Sequence, residues 1–249
     1  MRCTEAVLRL SVVVPAYNEA QRIESSLRRL FEYLNQASWD SEVIVVVDGS
    51  RDETLALVHN VPSGRVAVQV LDNVINRGKG FSVRRGMLAA AGRYALFCDA
   101  DLSTPIDEVE NLIHAIDAGA DLAIGSRALP GSDVRVHQPW WRESMGRTFN
   151  WFVQALVPGI ADSQCGFKCF RVEAAHRIFE RQRLDGFAFD VEVLCIARLL
   201  GYRISEVPVV WINHPLSKVD PIRDSTDMLL DLLRIRRNLA KGVYGDESR

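Results

Sequence analysis

The chain has no long apolar run, no low-complexity tract, no internal repeat and no marked charge of either sign, and each absence narrows what it can be. Its longest apolar stretches, Val12-Val13-Val14 and Val43 through Val47, fall far short of the roughly 20 residues that a spanning helix needs. No transmembrane segment is predicted. The opening Met1-Arg2-Cys3-Thr4-Glu5 lacks the basic region and long apolar core of a secretory leader, so a cytoplasmic protein is expected. Charged residues make up 25% of the 249, and the formal net charge is −2. That balance draws the molecule neither to nucleic acid nor to an anionic bilayer, and any membrane contact must be local. Five cysteines form an odd, scattered set, which argues against a disulfide framework. Cys165 and Cys169 have no second Cys or His pair at zinc-like spacing and read as small core-filling residues.

What is present is alternation. Residues 7–14 read as a buried strand stopping at Pro15, and a helical pattern with Ile23, Leu27, Leu30, Phe31 and Leu34 follows. Residues 42–47 make a second strand ending at Asp48-Gly49-Ser50, with a helix over about 52–59 behind it. Val66 to Leu71 is a third strand, Asn76-Arg77-Gly78-Lys79-Gly80 a turn, and 81–91 a helix. Tyr94 to Cys98 is a fourth strand that runs into Asp99-Ala100-Asp101, and helix 107–118 leads to a short strand over 121–124. This pattern predicts an α/β fold, a mainly parallel sheet flanked by helices, with the ligand crevice at the carboxyl ends of its strands. Helices near 140–157, rich in aromatic residues, near 187–200 and near 224–241 form a C-terminal helical extension. One domain over 1–249 is expected, divided near 128, where the Pro/Gly/Ser content rises.

The rim carries the chemistry. Two carboxylates one residue apart, just past a buried strand, can both reach one divalent cation, and hard oxygen ligands suit Mg²⁺ or Mn²⁺. Asp48 can accept hydrogen bonds from a base or ribose, while Ser50 or Asp52 can equally cap the following helix. Gly78-Lys79-Gly80 can bring backbone N–H groups and a cation to a diphosphate, without Walker or dinucleotide-binding glycine spacing.

Ser11 through Glu19, Val47 through Thr54, Asn76 through Gly80 and Asp99-Ala100-Asp101, in that order, resemble the signatures of family 2 glycosyltransferases with the GT-A (Rossmann-like) fold. Gly125-Ser126-Arg127, Asp162 through Lys168, Phe189 through Glu192 and Val207 through Trp211 resemble the branch that glycosylates dolichyl and other polyprenyl phosphates. The resemblance implies inverting transfer of glucose or an N-acetylhexosamine from a UDP-sugar to a polyprenyl phosphate. It implies nucleotide contacts from Pro15, Tyr17, Glu19 and Asp48, with Lys79 and Gln164 near the donor, and a metal and diphosphate at Asp99 and Asp101. It divides the chain into a nucleotide-sugar half, 1–128, and an acceptor half, 129–249. Val47 stands where the family carries a first aspartate, which leaves base recognition to Asp48 or to a backbone group.

A phosphate acceptor is already an oxyanion at neutral pH and needs cations more than a base. Arg127, matching the family's Gly-Ser-Arg position, and Arg142 and Arg147 are the candidates, although the last two also read as solvated surface arginines. A hydroxyl acceptor would instead need a base such as Asp190 or Glu192, which otherwise read as helix N-terminal and surface charges. A catalytically silent nucleotide-sugar-binding module is the third reading. A polyprenyl acceptor implies peripheral contact with the cytoplasmic membrane face. Trp140, Trp141, Phe149, Trp151 and Phe152 would make that contact or pack in the core. The terminal helix, acidic at Asp224, Asp227 and Asp231 and basic at Arg234, Arg236, Arg237 and Lys241, suits its own dipole; its basic end can also meet anionic lipid or an integral membrane protein partner. No nucleic acid partner is expected.

Overall fold

Two layers of helices enclose a seven-stranded sheet in the computed structural model, which describes residues 8–135, 153–212 and 223–245, the side chains of 223–226 excepted. The elements run β1 (Leu10–Ala16), α1 (Ile23–Gln36), β2 (Ser41–Val47), α2 (Thr54–Asn60), β3 (Ala67–Asp72), α3 (Lys79–Ala89) and β4 (Tyr94–Cys98). A 3₁₀ turn, Ile106–Glu108, leads into α4 (Val109–Asp117) and β5 (Leu122–Ser126), and β6 (Asp133–Val134) follows. The remainder is β7 (Phe167–Arg171), α5 (Val172–Arg181), α6 (Phe189–Leu199), β8 (Ile204–Pro208), β9 (Val210–Trp211) and α7 (Arg223–Ala240).

The sheet order is β3-β2-β1-β4-β7-β5-β8, with β6 and β9 forming a separate parallel pair. All neighbours in the large sheet are parallel except at β7, which runs antiparallel to both β4 and β5. The expected α/β architecture is therefore present, and a strand from the second half of the chain sits between two from the first. β1, β2, β4 and β5 are buried nearly throughout, as near-continuous apolar strands covered on both faces should be. One apolar cluster fills the side of α1, α2 and α4, and the other fills the side of α3, α5 and α6. All four described cysteines are free and buried, and burial pushes the Cys165 thiol up to about 11 and that of Cys169 to about 12. Both are protonated core residues.

Several boundaries differ from the sequence reading. β1 continues through Pro15 to Ala16; its pairing with β4 ends at Val13, so one side of the strand at Pro15 has no ladder for the missing N–H to interrupt. The helix expected from 107 begins as a 3₁₀ turn. The aromatic segment falls at 140–152, so Trp140, Trp141, Phe149, Trp151, Phe152, Arg142 and Arg147 lie outside the described residues. Immediately after it, Val153 and Val157 are fully buried.

Candidate active site

The strand order reverses direction between β1 and β4, and this is where an open α/β sheet offers its crevice. The chain turns that follow β1, β2, β3 and β4 meet there. Asn18, at φ 52°, donates its N–H to Ser50 Oγ at 3.0 Å and accepts from Arg51 N at 2.7 Å through Oδ1. The Glu19 N–H donates to Thr54 Oγ1 at 2.7 Å, and the Ala20 N–H to Asp52 Oδ2 at 3.1 Å. These bonds tie the turn after β1 to the turn after β2, and they leave Pro15, Tyr17 and Glu19 partly exposed on the rim.

Asp48 is only 3% exposed. Its Oδ1 accepts from Asn73 Nδ2 at 2.6 Å and from Arg77 N at 2.9 Å, while Oδ2 accepts from Gly78 N at 2.8 Å. The loop held this way is strained: Val74, β-branched, sits at φ 63°, a conformation that costs on the order of 1–3 kcal/mol. Asp48 thus shapes the 73–78 loop, and the helix-capping alternative falls to Asp52 instead, which accepts from Thr54 N at 3.0 Å. Val47 is buried in the core, paired with Ala16 and Asp72.

The glycine turn behaves differently from the expectation of free N–H groups. The N–H of Gly78 goes to Asp48, and those of Gly80 and Phe81 to the Asp185 carbonyl at 2.8 and 3.3 Å. Gly78 has φ 102°, and a Cβ there would stand 2.3 Å from that same carbonyl oxygen. What the turn delivers is the Lys79 ammonium, 2.6 Å from Asp99 Oδ1. Burial alone would lower the Lys79 pKa, but Asp99, Asp190 and Asp101 together hold it above its ordinary value.

Asp99 and Asp101 leave β4 in a tight turn in which Leu102 adopts φ 47° and donates its N–H to the Asp99 carbonyl at 3.0 Å. Asp101 Oδ1 accepts from Ser103 N at 2.9 Å, and its Oδ2 lies 3.6 Å from Arg22 Nη1. The Asp99 carboxylate lies against Gly166, where a Cβ would be 2.1 Å from Oδ2. No cluster of three or more His, Cys, Asp or Glu residues suited to a metal occurs among the described residues. The acidic pair stands with two cations facing it.

Arg127 follows β5 and is bound bidentately by Asp162, at 2.6 Å through Nε and 2.8 Å through Nη2, with its own N–H 3.0 Å from Asp162 Oδ2. Its guanidinium carbon also lies 5.3 Å from the centre of the Trp211 ring. Gln164 stands beside this pair, its N–H 3.2 Å from Asp162 Oδ1. Burial would raise the Asp162 pKa, but the Arg127 charge and hydrogen bonds outweigh it and hold the carboxyl below its usual value. A depressed folded pKa contributes stability above the unfolded value that is lost as pH falls through the folded one. Asp162→Asn should therefore destabilise the protein by about 1–3 kcal/mol at neutral pH. In thermal unfolding followed against pH, the gap to wild type should stay constant above about pH 5 and close in acid; a pH-independent gap would assign the loss to packing alone.

Asp190 and Glu192 both lie inside. The Lys168 ammonium, fully buried on β7, is ion-paired with Asp190 and donates to the Cys165 carbonyl at 2.8 Å. Glu192 accepts from Arg183 N, from Leu184 N at 2.8 Å and from the Tyr244 hydroxyl at 2.7 Å. Burial pushes both carboxyls above their ordinary values, in Asp190 against the pull of Lys168 and Lys79.

The sequence model of glycosyl transferase family 2 matches residues 11–179, well over half of the chain and all of this rim. The chain belongs to glycosyl transferase family 2. A dolichyl-phosphate beta-glucosyltransferase of Dictyostelium discoideum is 40% identical to it over 94% of this chain and 76% of that protein. The protein of that name from Homo sapiens is 36% identical over 94% and 77%. Among solved structures, glucosyl-3-phosphoglycerate synthase from Mycobacterium tuberculosis, crystallised with Mn²⁺, UDP and glucosyl-3-phosphoglycerate, superposes with a TM-score of 0.69 at 20% identity, over 92% of this chain and 80% of that one. Mannosyl-3-phosphoglycerate synthase from Rubrobacter xylanophilus gives 0.64 at 17%, over 97% and 77%. At these identities the likeness concerns the fold, and the fold of this family 2 glycosyltransferase is GT-A.

Sequence reasoning missed two contributors to the site. Arg22 reads as an ordinary amphipathic-helix arginine, and only its distance to Asp101 sets it apart. Lys168 sits in a short segment whose charge hides the strand, although Asp190, in α6, was a signal that a buried partner was available.

Proposed function

We propose that this glycosyltransferase moves glucose, with inversion, from UDP-glucose to a polyprenyl phosphate of the dolichyl type. The observation that carries the acceptor class is the state of Asp190 and Glu192. A hydroxyl acceptor needs a base at the crevice, and both candidates are buried and committed to other partners. An acceptor that arrives ionised has no such need. The names of relatives at 36–40% identity support glucose and dolichyl phosphate, and neighbours solved with Mn²⁺ and UDP-glucose support the donor.

Asp99 and Asp101 would hold the divalent ion. Two hard oxygen ligands, with no third protein ligand clustered beside them among the described residues, suit Mg²⁺ or Mn²⁺, which complete their shells with water and substrate phosphates. Bound there, such an ion neutralises charge on the departing diphosphate. Pro15, Tyr17, Glu19 and the loop shaped by Asp48 would bound the nucleotide, and Lys79 would face the diphosphate. The half to residue 128 serves the donor and 129–249 the acceptor; Gln164 would approach the donor, and Arg127, at the boundary, would join Arg142 and Arg147 as candidates for the acceptor phosphate.

The acceptor lives in a bilayer, and no described helix is long and apolar enough to cross one. α7 offers a peripheral contact. Leu229, Leu230 and Leu233 are 41%, 51% and 63% exposed and share one flank by their i,i+3 and i,i+4 spacing. Arg236, Arg237 and Lys241, all exposed, continue toward its end. An apolar stripe with basic neighbours suits an anionic cytoplasmic leaflet. The middle of α7 also approaches the site: Asp231 Oδ2 stands 3.7 Å from where a Gly186 Cβ would be, and the carbonyl of Asp185, just before it, caps α3.

One set of measurements tests both parts. Purified protein with Mg²⁺ or Mn²⁺ and UDP-glucose should glucosylate a short-chain polyprenyl phosphate, and no product from any nucleotide sugar would sink the enzymatic reading. The triple variant Leu229→Ser/Leu230→Ser/Leu233→Ser should keep that activity and lose flotation with phosphatidylserine vesicles. Unchanged flotation would remove α7 from the membrane contact.

A further inference from the structure

Arg22 precedes α1 and is held from behind. Its Nη2 donates to Glu19 Oε1 at 2.8 Å and its Nε to Glu19 Oε2, and Glu19 is itself anchored through its N–H to Thr54. Nη1 points the other way. It is buried, has no hydrogen-bond partner among the described residues, and stops 3.6 Å from Asp101 Oδ2, beyond hydrogen-bonding distance. A buried guanidinium N–H left this way costs about 1–3 kcal/mol, and such a group invites a ligand.

The charges at the crevice give the ligand its sign. Asp99, Asp101 and Glu19 stand against Lys79 and Arg22, three against two. A divalent cation added alone would leave the cluster one charge positive and would press against both side-chain cations. The diphosphate of a nucleotide sugar carries two negative charges, and with it the cluster returns to the single negative charge it carries without ligands. Arg22 is oriented for that oxyanion by its own carboxylate, as a guanidinium fixed on one edge presents the other.

We propose that Arg22 is a diphosphate-binding residue that, before the donor arrives, serves as the counter-ion of Asp101 and weakens metal binding there. Glu19 is its positioning residue. Metal and donor are thereby coupled: each binds well only with the other, and the coupling is reciprocal. The inference rests on the metal and diphosphate reading given above, and its test separates the two.

With the full chain, free Mn²⁺ measured by electron paramagnetic resonance gives metal affinity without nucleotide, and calorimetry gives UDP affinity at saturating Mn²⁺. Arg22→Met should bind Mn²⁺ alone roughly 3–10-fold more tightly, because a competing cation has gone. It should bind UDP roughly 10–100-fold more weakly, because a charge-assisted contact has gone. Arg22→Lys, which keeps the charge, should stay near wild type for Mn²⁺ and recover part of the UDP affinity. Opposite signs for the two ligands are the signature, since a variant that merely loosened the fold would weaken both. Mn²⁺ affinity that falls or stays fixed in Arg22→Met, or UDP affinity that does not move, overturns the role of Arg22 and leaves the reaction standing. Wild-type protein that binds neither Mn²⁺ nor UDP overturns the reaction and this inference with it.

Discussion

Asp101→Ala is expected to abolish glucosyl transfer, and Asp99→Asn to lower kcat by about 10²–10³-fold, with the fold retained in both. The structural duties of these carboxylates are small. Asp101 supplies one hydrogen bond, to Ser103 N, worth about 1 kcal/mol, and Asp99 is a third exposed. Neither packs in the core, so the melting temperature should shift by only a few degrees while activity collapses. Steady-state kinetics with UDP-glucose and a short-chain acceptor, beside thermal unfolding, separates the two effects. Asp101→Ala retaining more than about a tenth of wild-type kcat/KM would contradict a metal-assisted reaction at this pair.

Gly166→Ala is a second route to the same centre. The added methyl carbon would lie 2.1 Å from Asp99 Oδ2, so the carboxylate must move, and its contact with Lys79 must move with it. The glycine in the stretch from Asp162 to Lys168 is thereby explained by a close approach rather than by a turn. Its φ is not positive, and what forbids a side chain is the Asp99 carboxylate just past the neighbouring strand.

The donor rim was legible because its parts are local. Each motif follows an apolar strand directly, and a parallel sheet aligns strand ends, so Asp48, Lys79, Asp99 and Asp101 had to converge on one edge once the alternation was recognised. What each side chain does there was less legible, because it is decided by partners distant in the chain. Asp48 reads as a group open to a base and proves to be engaged with the 73–78 loop. Arg127 reads as a free phosphate ligand and is already bidentate with Asp162, 35 residues on. β7 escaped recognition for the same reason. Phe167-Lys168-Cys169-Phe170-Arg171 carries a lysine in its middle, and only a carboxylate 22 residues later makes that lysine compatible with a central strand.

That lysine carries the largest expected effect on stability. Lys168→Met should cost about 3–5 kcal/mol, because it strands the Asp190 charge in the interior, and should lower the melting temperature by on the order of 10 °C in a chain of this size. Lys168 is fully buried, and its ammonium lies 5.2 Å from the centre of the Phe97 ring. Asp190 is 4% exposed, and Lys79 is the further cation that lowers its pKa. The double variant Lys168→Met/Asp190→Leu should recover most of the loss, since two apolar side chains replace the pair at similar volume. Failure to recover would mean that the Lys168 bond to the Cys165 carbonyl, rather than the charge pair, holds β7 in place. The consequence also reaches the crevice. With Lys168 gone, Asp190 competes with Asp99 for Lys79, so Lys168→Met that remains folded at low temperature should transfer glucose more slowly than wild type. The double variant, having no such competitor, should regain rate as well as stability.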